Sequence, residues 1–160
     1  MALLFAKPTE YAIRALIYLA AKNNPRPVTV LEIAQAEGLS SHHLSKVMKS
    51  LTRSKIVQPV RGPGGGYRLI KDPSSVTLWN VMDVLGALGG LEECAIGWAE
   101  CKDENPCPLH DRWTQLRDKI SAYLQGTTVA DLVDTVRKKG SEESPLQINL
   151  PSWAVSRKTG

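Results

Sequence analysis

VTVLEIAQAEGLSSHHLSKVMKSLTRSKIVQPVRGPGGGYRL, residues 28–69, is the stretch that sets the fold class. Val30, Leu31, Ile33 and Ala34 make one short helix, closed by the turn at Gly38. Ser40 stands where an N-cap belongs, because its hydroxyl can satisfy a free amide of the following turn. Leu44, Val47, Met48 and Leu51 then form the buried stripe of a second helix. Two short helices joined by a glycine-containing turn are a helix-turn-helix. IVQPV and YRLIK flank RGPGGG, and short β-rich runs around a Gly/Pro turn predict a hairpin. The expected fold is mainly α with a small β-hairpin wing, a winged helix-turn-helix.

On the N-terminal side, Tyr11, Ile13, Leu16, Ile17, Leu19 and Ala20 recur near helical spacing, and NNPRP ends that helix. On the C-terminal side, SSVTLWNVMDVLGAL predicts a helix capped by Ser or Thr, with Val81, Val84, Leu85 and Leu88 inward. A long helix is predicted from Pro108 to Leu124, placing Leu109, Trp113, Leu116, Ile120, Tyr123 and Leu124 on one long face. A last short helix follows with Thr128 as its N-cap. Residues 141–160 show no period and are expected to be a flexible tail.

At 160 residues with 42% apolar content, the chain suits one domain or a small domain plus an extension. It holds no apolar run of the roughly eighteen residues a membrane span needs. The opening segment is broken by Lys7, Glu10 and Arg14, so no signal peptide is expected and the implied setting is the cytoplasm. The net charge of +4 divides into +8 over residues 1–71 and −4 over residues 72–160. A basic half of this kind invites a polyanion, and nucleic acid is the usual one.

In a helix-turn-helix the first turns of the second helix enter the major groove. Here they carry Ser40, Ser41, His42, His43, Ser45 and Lys46, with Lys49 and Arg53 further along. Ser and His can hydrogen-bond to base edges, whereas Lys and Arg mostly neutralise phosphates. In the wing, Gly62, Gly64 and Gly65 let the backbone turn and approach a ligand closely. Arg61 supplies a guanidinium suited to a narrow minor groove, and Tyr67 follows as a further candidate contact. A phosphate-binding enzyme loop would end in Gly-Lys-Ser/Thr and open a helix; this one leads into a strand.

All three cysteines, Cys94, Cys101 and Cys107, lie in LEECAIGWAECKDENPCPLHDRW, with His110 three residues after the last. Thiolates hold iron–sulfur clusters or zinc, and three of them leave a site one ligand short. Bare thiols that sense oxidants directly are a third reading. The acidic neighbours Glu92, Glu93, Glu100, Asp103 and Glu104 do not point to a lowered thiol pKa. The sequence offers no nucleophile–base pair, so no enzyme activity and no small-molecule substrate are expected.

YAIRALIYLA, VTVLEIAQAEGLSSHHLSKVMKSL, IVQPVRGPGGGYRL and VTLWNVMDVLGAL resemble, in that order, the iron–sulfur winged-helix transcription regulators that include the IscR and NsrR repressors. The resemblance runs from Tyr11 to Leu132. It implies a sensor of redox state, nitric oxide or iron–sulfur status, active as a homodimer joined through the long C-terminal dimerisation helix and bound to near-palindromic operator DNA. Base contacts would fall on Ser40, His42, Ser45 and Arg61. Cluster ligands would be Cys94, Cys101, Cys107 and His110, with Glu10 of the partner subunit as the alternative fourth ligand. Histidine ligation favours 2Fe–2S, while a carboxylate is compatible with 2Fe–2S or 4Fe–4S. Residues 1–75 would be the DNA-binding domain, 76–140 the cluster loop and dimerisation helices, and 141–160 the tail.

Two departures stand out. Ser45 replaces the glutamate of IscR-type proteins, which removes an acceptor for cytosine and a repulsion against phosphate. The first inter-cysteine segment has six residues where the family usually has five. The alternatives are a zinc-binding or bare-thiol regulator of the same fold and, from another class, a small redox or zinc enzyme.

Overall fold

The computed structural model describes residues 4–22, 26–99 and 101–140. Helix α1 (Lys7–Lys22) carries Glu10 in its first turn and Lys22 in its last, each charge placed to complement the helix dipole. Helix α2 (Val30–Glu37) is capped by Thr29, whose side chain accepts from the Glu32 amide at 3.1 Å. It ends at Gly38 in the left-handed conformation, φ 63°. Helix α3 (Ser41–Arg53) starts from the predicted cap, Ser40, and buries Leu44, Val47, Met48 and Leu51. Strands β1 (Val57–Val60) and β2 (Gly66–Leu69) pair antiparallel with Val57 opposite Leu69 and Val60 opposite Gly66. The winged helix-turn-helix is the observed fold.

The wing has an anchor that the sequence reading did not contain. Val28 and Tyr67 exchange both backbone hydrogen bonds, at 2.8 and 2.7 Å, so the segment before α2 pairs with the wing. A one-residue bridge leaves no periodic trace. Its steric consequence falls on Gly66, where a Cβ would lie 2.4 Å from the Val28 carbonyl oxygen.

Helix α4 (Leu78–Val84) ends earlier than expected, and the short helix α5 (Gly89–Glu92) follows as a separate turn. Gly86 adopts φ 64°, and the amides of Gly86 and Ala87 fold back onto Asp83 and Met82, each at 2.9 Å. That closure terminates the helix before Leu88, which is nevertheless buried; Val84 and Leu85 are half-buried. Helix α6 (His110–Gly126) begins two residues later than predicted. Helix α7 (Val129–Lys139) carries the predicted Thr128 cap within a capping box completed by Asp131.

Two apolar clusters hold these elements. The larger joins Leu16, Ile33, Leu44, Met48, Leu51 and Val57 to Val76, Val81, Val129 and Val133, so α7 packs back against the first half of the chain. The second joins Leu78, Met82, Leu88, Leu91 and Leu124, with Trp113 and Ile120 against it, and fastens α6 to α4. The single apolar face expected on α6 divides as a result. Trp113, Ile120 and Leu124 turn inward, whereas Leu109, Leu116 and Tyr123, spaced by seven, stay exposed in a seam along the helix. The apolar arc is wider than α4 can cover. Among the described residues no helix is long and apolar enough to cross a membrane. The expected tail, residues 141–160, lies outside the described residues, as do Asn23, Asn24 and Glu100.

Candidate nucleic-acid interface and metal centre

The cap at Ser40 and the stripe Leu44–Leu51 decide which face of α3 looks outward. Ser41, His42, Lys46, Lys49 and Arg53 are exposed on it. His43 is exposed as well but leans toward α1: its Nδ1 is 3.1 Å from Ser40 Oγ and its ring meets Tyr11 edge-on with centroids 6.4 Å apart. The Ser40 amide donates to the Tyr11 hydroxyl at 3.4 Å, which closes this small cluster. Ser45 is half-buried and donates its hydroxyl to the Ser41 carbonyl at 2.8 Å. A cleft of about 600 Å³ separates α3 from the wing, with Lys46, Lys49 and Arg53 on one wall and Pro59 and Tyr67 on the other.

At the wing tip, Arg61, Gly62 and Gly64 are exposed, and the two glycines adopt φ 99° and 72°. Gly65 serves the turn itself, since a Cβ there would lie 2.3 Å from the Val60 carbonyl oxygen. Arg68, which the sequence reading did not single out, projects from β2 with Nη2 donating to Gln58 Oε1 at 3.2 Å. Strand alternation was the available signal, because Arg68 shares an exposed face with its register partner Gln58.

Behind α3 runs a chain of charges. Glu10 pairs with Lys7 at 3.0 Å and with Arg14 at 3.6 Å, and the Lys7 hydrogen bond holds its carboxyl below the usual range. Arg14 also donates from Nε to Glu37 Oε2 at 2.9 Å and from Nη2 to the Glu37 carbonyl. A partnership across so many residues has no sequence signature.

The second site gathers the loop between α5 and α6. Cys94 and Cys101 are half-buried, Cys107 is buried, and their three sulfurs lie within 4.8 Å of one another. Cys94 Sγ is 3.6 Å from Cys107 Sγ. His110 opens α6 with its amide donating to the Cys107 carbonyl at 3.0 Å, and its Nδ1 lies 3.1 Å from Cys101 Sγ. The three thiols singled out therefore gather, and His110 reaches the group at Cys101. Glu10, expected as an alternative ligand from the partner subunit, lies on α1 paired with Lys7 and Arg14.

Trp113 Nε1 donates to the Glu93 carbonyl at 2.9 Å and ties the start of the loop to α6. A cavity of about 40 Å³ lies among these groups, with Thr114 and Arg117 of α6 also on its wall. Neither was found from sequence; both stand close to one turn beyond His110 or Trp113 on the same helix. Three soft thiolates and an imidazole fit either an iron–sulfur cluster or zinc by the chemistry of the donor set.

One thiol, Cys94, differs from what the acidic surroundings suggested. The Ile96 amide, aided by that of Trp98, brings the Cys94 thiol down to about 7 despite partial burial. Cys101 is pushed up: the Cys107 amide acts to lower it, but burial and the neighbouring Cys107 and Cys94 thiols outweigh that donor. Backbone amides, invisible in a count of charged side chains, account for the correction at Cys94.

Comparison with known proteins returns one functional class. The family model for Rrf2, described as iron-dependent transcriptional regulator, matches residues 5–135. An HTH-type transcriptional regulator of Aquifex aeolicus is 35% identical over 85% of this chain and 95% of its own. The HTH-type transcriptional regulator IscR of Yersinia pseudotuberculosis is 32% identical over 78% of this chain and 76% of its own. Among solved structures, CymR, the global cysteine regulator of B. subtilis, superposes with a TM-score of 0.69 and 27% identity, covering 84% of this chain and 98% of that one.

Proposed function

Because this chain belongs to the Rrf2 family of iron-dependent transcriptional regulators, we propose that it binds operator DNA as a homodimer and reads its signal through an iron–sulfur cluster held by Cys94, Cys101, Cys107 and His110. The observation that carries the reading is the approach of His110 Nδ1 to Cys101 Sγ, 3.1 Å, within a group of three clustered sulfurs. On this reading His110 would be the fourth ligand in place of the partner subunit's Glu10, and a histidine in the set would favour 2Fe–2S. The donor set would accept zinc too; the iron dependence in the family's description favours iron.

A bound cluster would supply electron transfer and a lability toward oxidants or nitric oxide. The chain supplies the rest. His110 is the first residue of α6, so the state of its ring bears on the start of that helix. Leu124 and Ile120 seat α6 on α4, and α4 packs in turn against α1 and α3. The exposed seam Leu109, Leu116 and Tyr123 on the same helix is the surface where a second copy would pack. A change at the cysteine loop thus has a packed route to the spacing of two recognition helices.

Residues 1–75 read DNA in this scheme and 76–140 sense and dimerise. Ser40, Ser41, His42, Ser45 and Arg61 contact bases, while Lys46 and Lys49 contact phosphates. His43, held by Ser40 and Tyr11, orients the start of α3 at the DNA surface. The backbone at Gly62, Gly64 and Gly65, with Tyr67, shapes the wing against the duplex. The signal would be redox state, nitric oxide or iron–sulfur supply.

Anaerobic purification with iron, sulfide and zinc analysis, followed by operator binding with and without the cluster, tests the proposal. Colourless protein with stoichiometric zinc would overturn the cluster, and equal affinities would overturn the switch. A bare-thiol sensor of the same fold has one observation in its favour, the lowered Cys94 thiol beside Cys107. It predicts iron-free protein whose operator affinity responds to oxidant.

A further inference from the structure

Both nitrogens of His110 are engaged, and from opposite sides. Nδ1 faces inward to Cys101 Sγ at 3.1 Å, and Nε2 faces outward to Asp103 Oδ1 at 2.9 Å. The side chains differ sharply in exposure, 18% for His110 and 94% for Asp103, so the carboxylate reaches the ring from the solvent side. A carboxylate only accepts hydrogen bonds, so a neutral ring in this pairing carries its proton on Nε2 and leaves the Nδ1 lone pair aimed at the Cys101 sulfur.

The backbone fixes both partners. Asp103 sits at the corner of a two-residue turn closed by the amide of Asn105 on the Lys102 carbonyl at 3.0 Å and by the reciprocal bond at 3.4 Å. His110 is held at the opening of α6 by its own amide on the Cys107 carbonyl. The five residues between Cys101 and Cys107 are thus a clamp that delivers one carboxylate to the far edge of one imidazole.

We propose that Asp103 is a positioning residue for the metal centre: it selects the Nε2–H tautomer of His110 and so commits Nδ1 as the ligating nitrogen. Ligating histidines commonly donate their second N–H to a carboxylate, which fixes the ring and raises its basicity as a ligand. This inference rests on the cluster reading above and adds which nitrogen binds and which acid decides it. In the metal-free protein the same arrangement lets the Cys101 thiol donate to Nδ1.

The test uses the full chain, purified anaerobically, with histidine labelled with nitrogen-15 at Nδ1 only or at Nε2 only. Pulsed electron paramagnetic resonance of the reduced protein then reports which nitrogen couples strongly to the cluster. Strong coupling from Nδ1 supports the assignment; strong coupling from Nε2 overturns it. Asp103→Asn should lose cluster to a chelator about tenfold faster, the lower end of the usual effect of removing an outer partner. Asp103→Glu should recover most of the loss. Because Asp103 is exposed on a turn, these variants fold as the parent does. Parent-like chelator kinetics in Asp103→Asn, with Nδ1 coupling intact, overturn the positioning role while the cluster reading stands. Absence of any cluster, or of any histidine coupling in the parent, overturns the ligand reading itself and this inference with it.

Discussion

Arg14 and Glu37 form an ion pair at 2.9 Å in which the Glu37 side chain is 3% exposed and Arg14 35%. The pair links the middle of α1 to the last residue of α2, immediately before the turn that launches α3. The guanidinium, which also holds the main-chain carbonyl of Glu37, adds a polar tie to the apolar packing that sets α2 and α3 against α1.

Removing that guanidinium takes away the contacts it makes with the buried Glu37 side chain and with the Glu37 carbonyl. Arg14→Ala should destabilise the fold by about 1.5 kcal/mol, the scale of a hydrogen bond to a charged group. Arg14→Lys should recover only part, because an ammonium cannot reproduce the two-pronged contact. Urea unfolding at neutral pH measures both, and a loss under about 0.5 kcal/mol, the scale of an ordinary surface substitution, would contradict the account.

The wing glycines are not equivalent. Gly64→Ala meets open space and pays only for its positive φ, about 1 kcal/mol. Gly66→Ala drives a methyl into the Val28 carbonyl and should cost about 2–3 kcal/mol by overpacking. Thermal melts should rank the two in that order, and amide exchange in Gly66→Ala should show Val28 and Tyr67 losing protection first.

Leu116 lies mid-seam on α6 and is 51% exposed. Leu116→Asp should leave the helical content of the protomer intact and weaken self-association about 30-fold or more, the scale of a lost interface anchor. Sedimentation velocity across a concentration series reads the shift. The same substitution at Gln115, exposed on α6 but off the seam, should leave assembly unchanged.

Lys49 and Arg61 should fail in different ways on DNA. On the proposed reading Lys49→Ala removes a phosphate contact, so affinity should fall alike on all sequences and the slope of log K against log salt should shrink by about 0.9. Arg61→Ala should relax sequence preference beneath the wing as well as lowering affinity. Fluorescence anisotropy on operator and scrambled duplexes over a salt range separates the two behaviours.

Much of the architecture was written locally. The apolar stripe of α3, the caps at Ser40 and Thr128, the left-handed turn at Gly38 and the strand–turn–strand around RGPGGG each depend on residues within a few positions of one another. Short-range hydrogen bonds and helical or strand periodicity set them, so they are legible in the sequence. The three clustered thiols were legible as candidates for the same reason, since Cys94 to Cys107 is a short arc, and His110 joined them through the family resemblance.

What only the tertiary structure decided is which groups meet across the fold. Periodicity marked Leu109 to Leu124 as apolar but could not divide them, because the division depends on how much of α6 the surface of α4 covers. The Val28–Tyr67 bridge, the Arg14–Glu37 pair and the turn of His43 toward Tyr11 join segments whose approach is a property of packing. Asp103 on His110 and the amides on Cys94 depend on the path of the loop backbone, which residue types do not encode one by one. By itself the sequence determined most of the elements and the chemical inventory of each site; folding determined the break between α4 and α5 and the pairings, because a pairing needs distance and direction and a residue pattern carries only order.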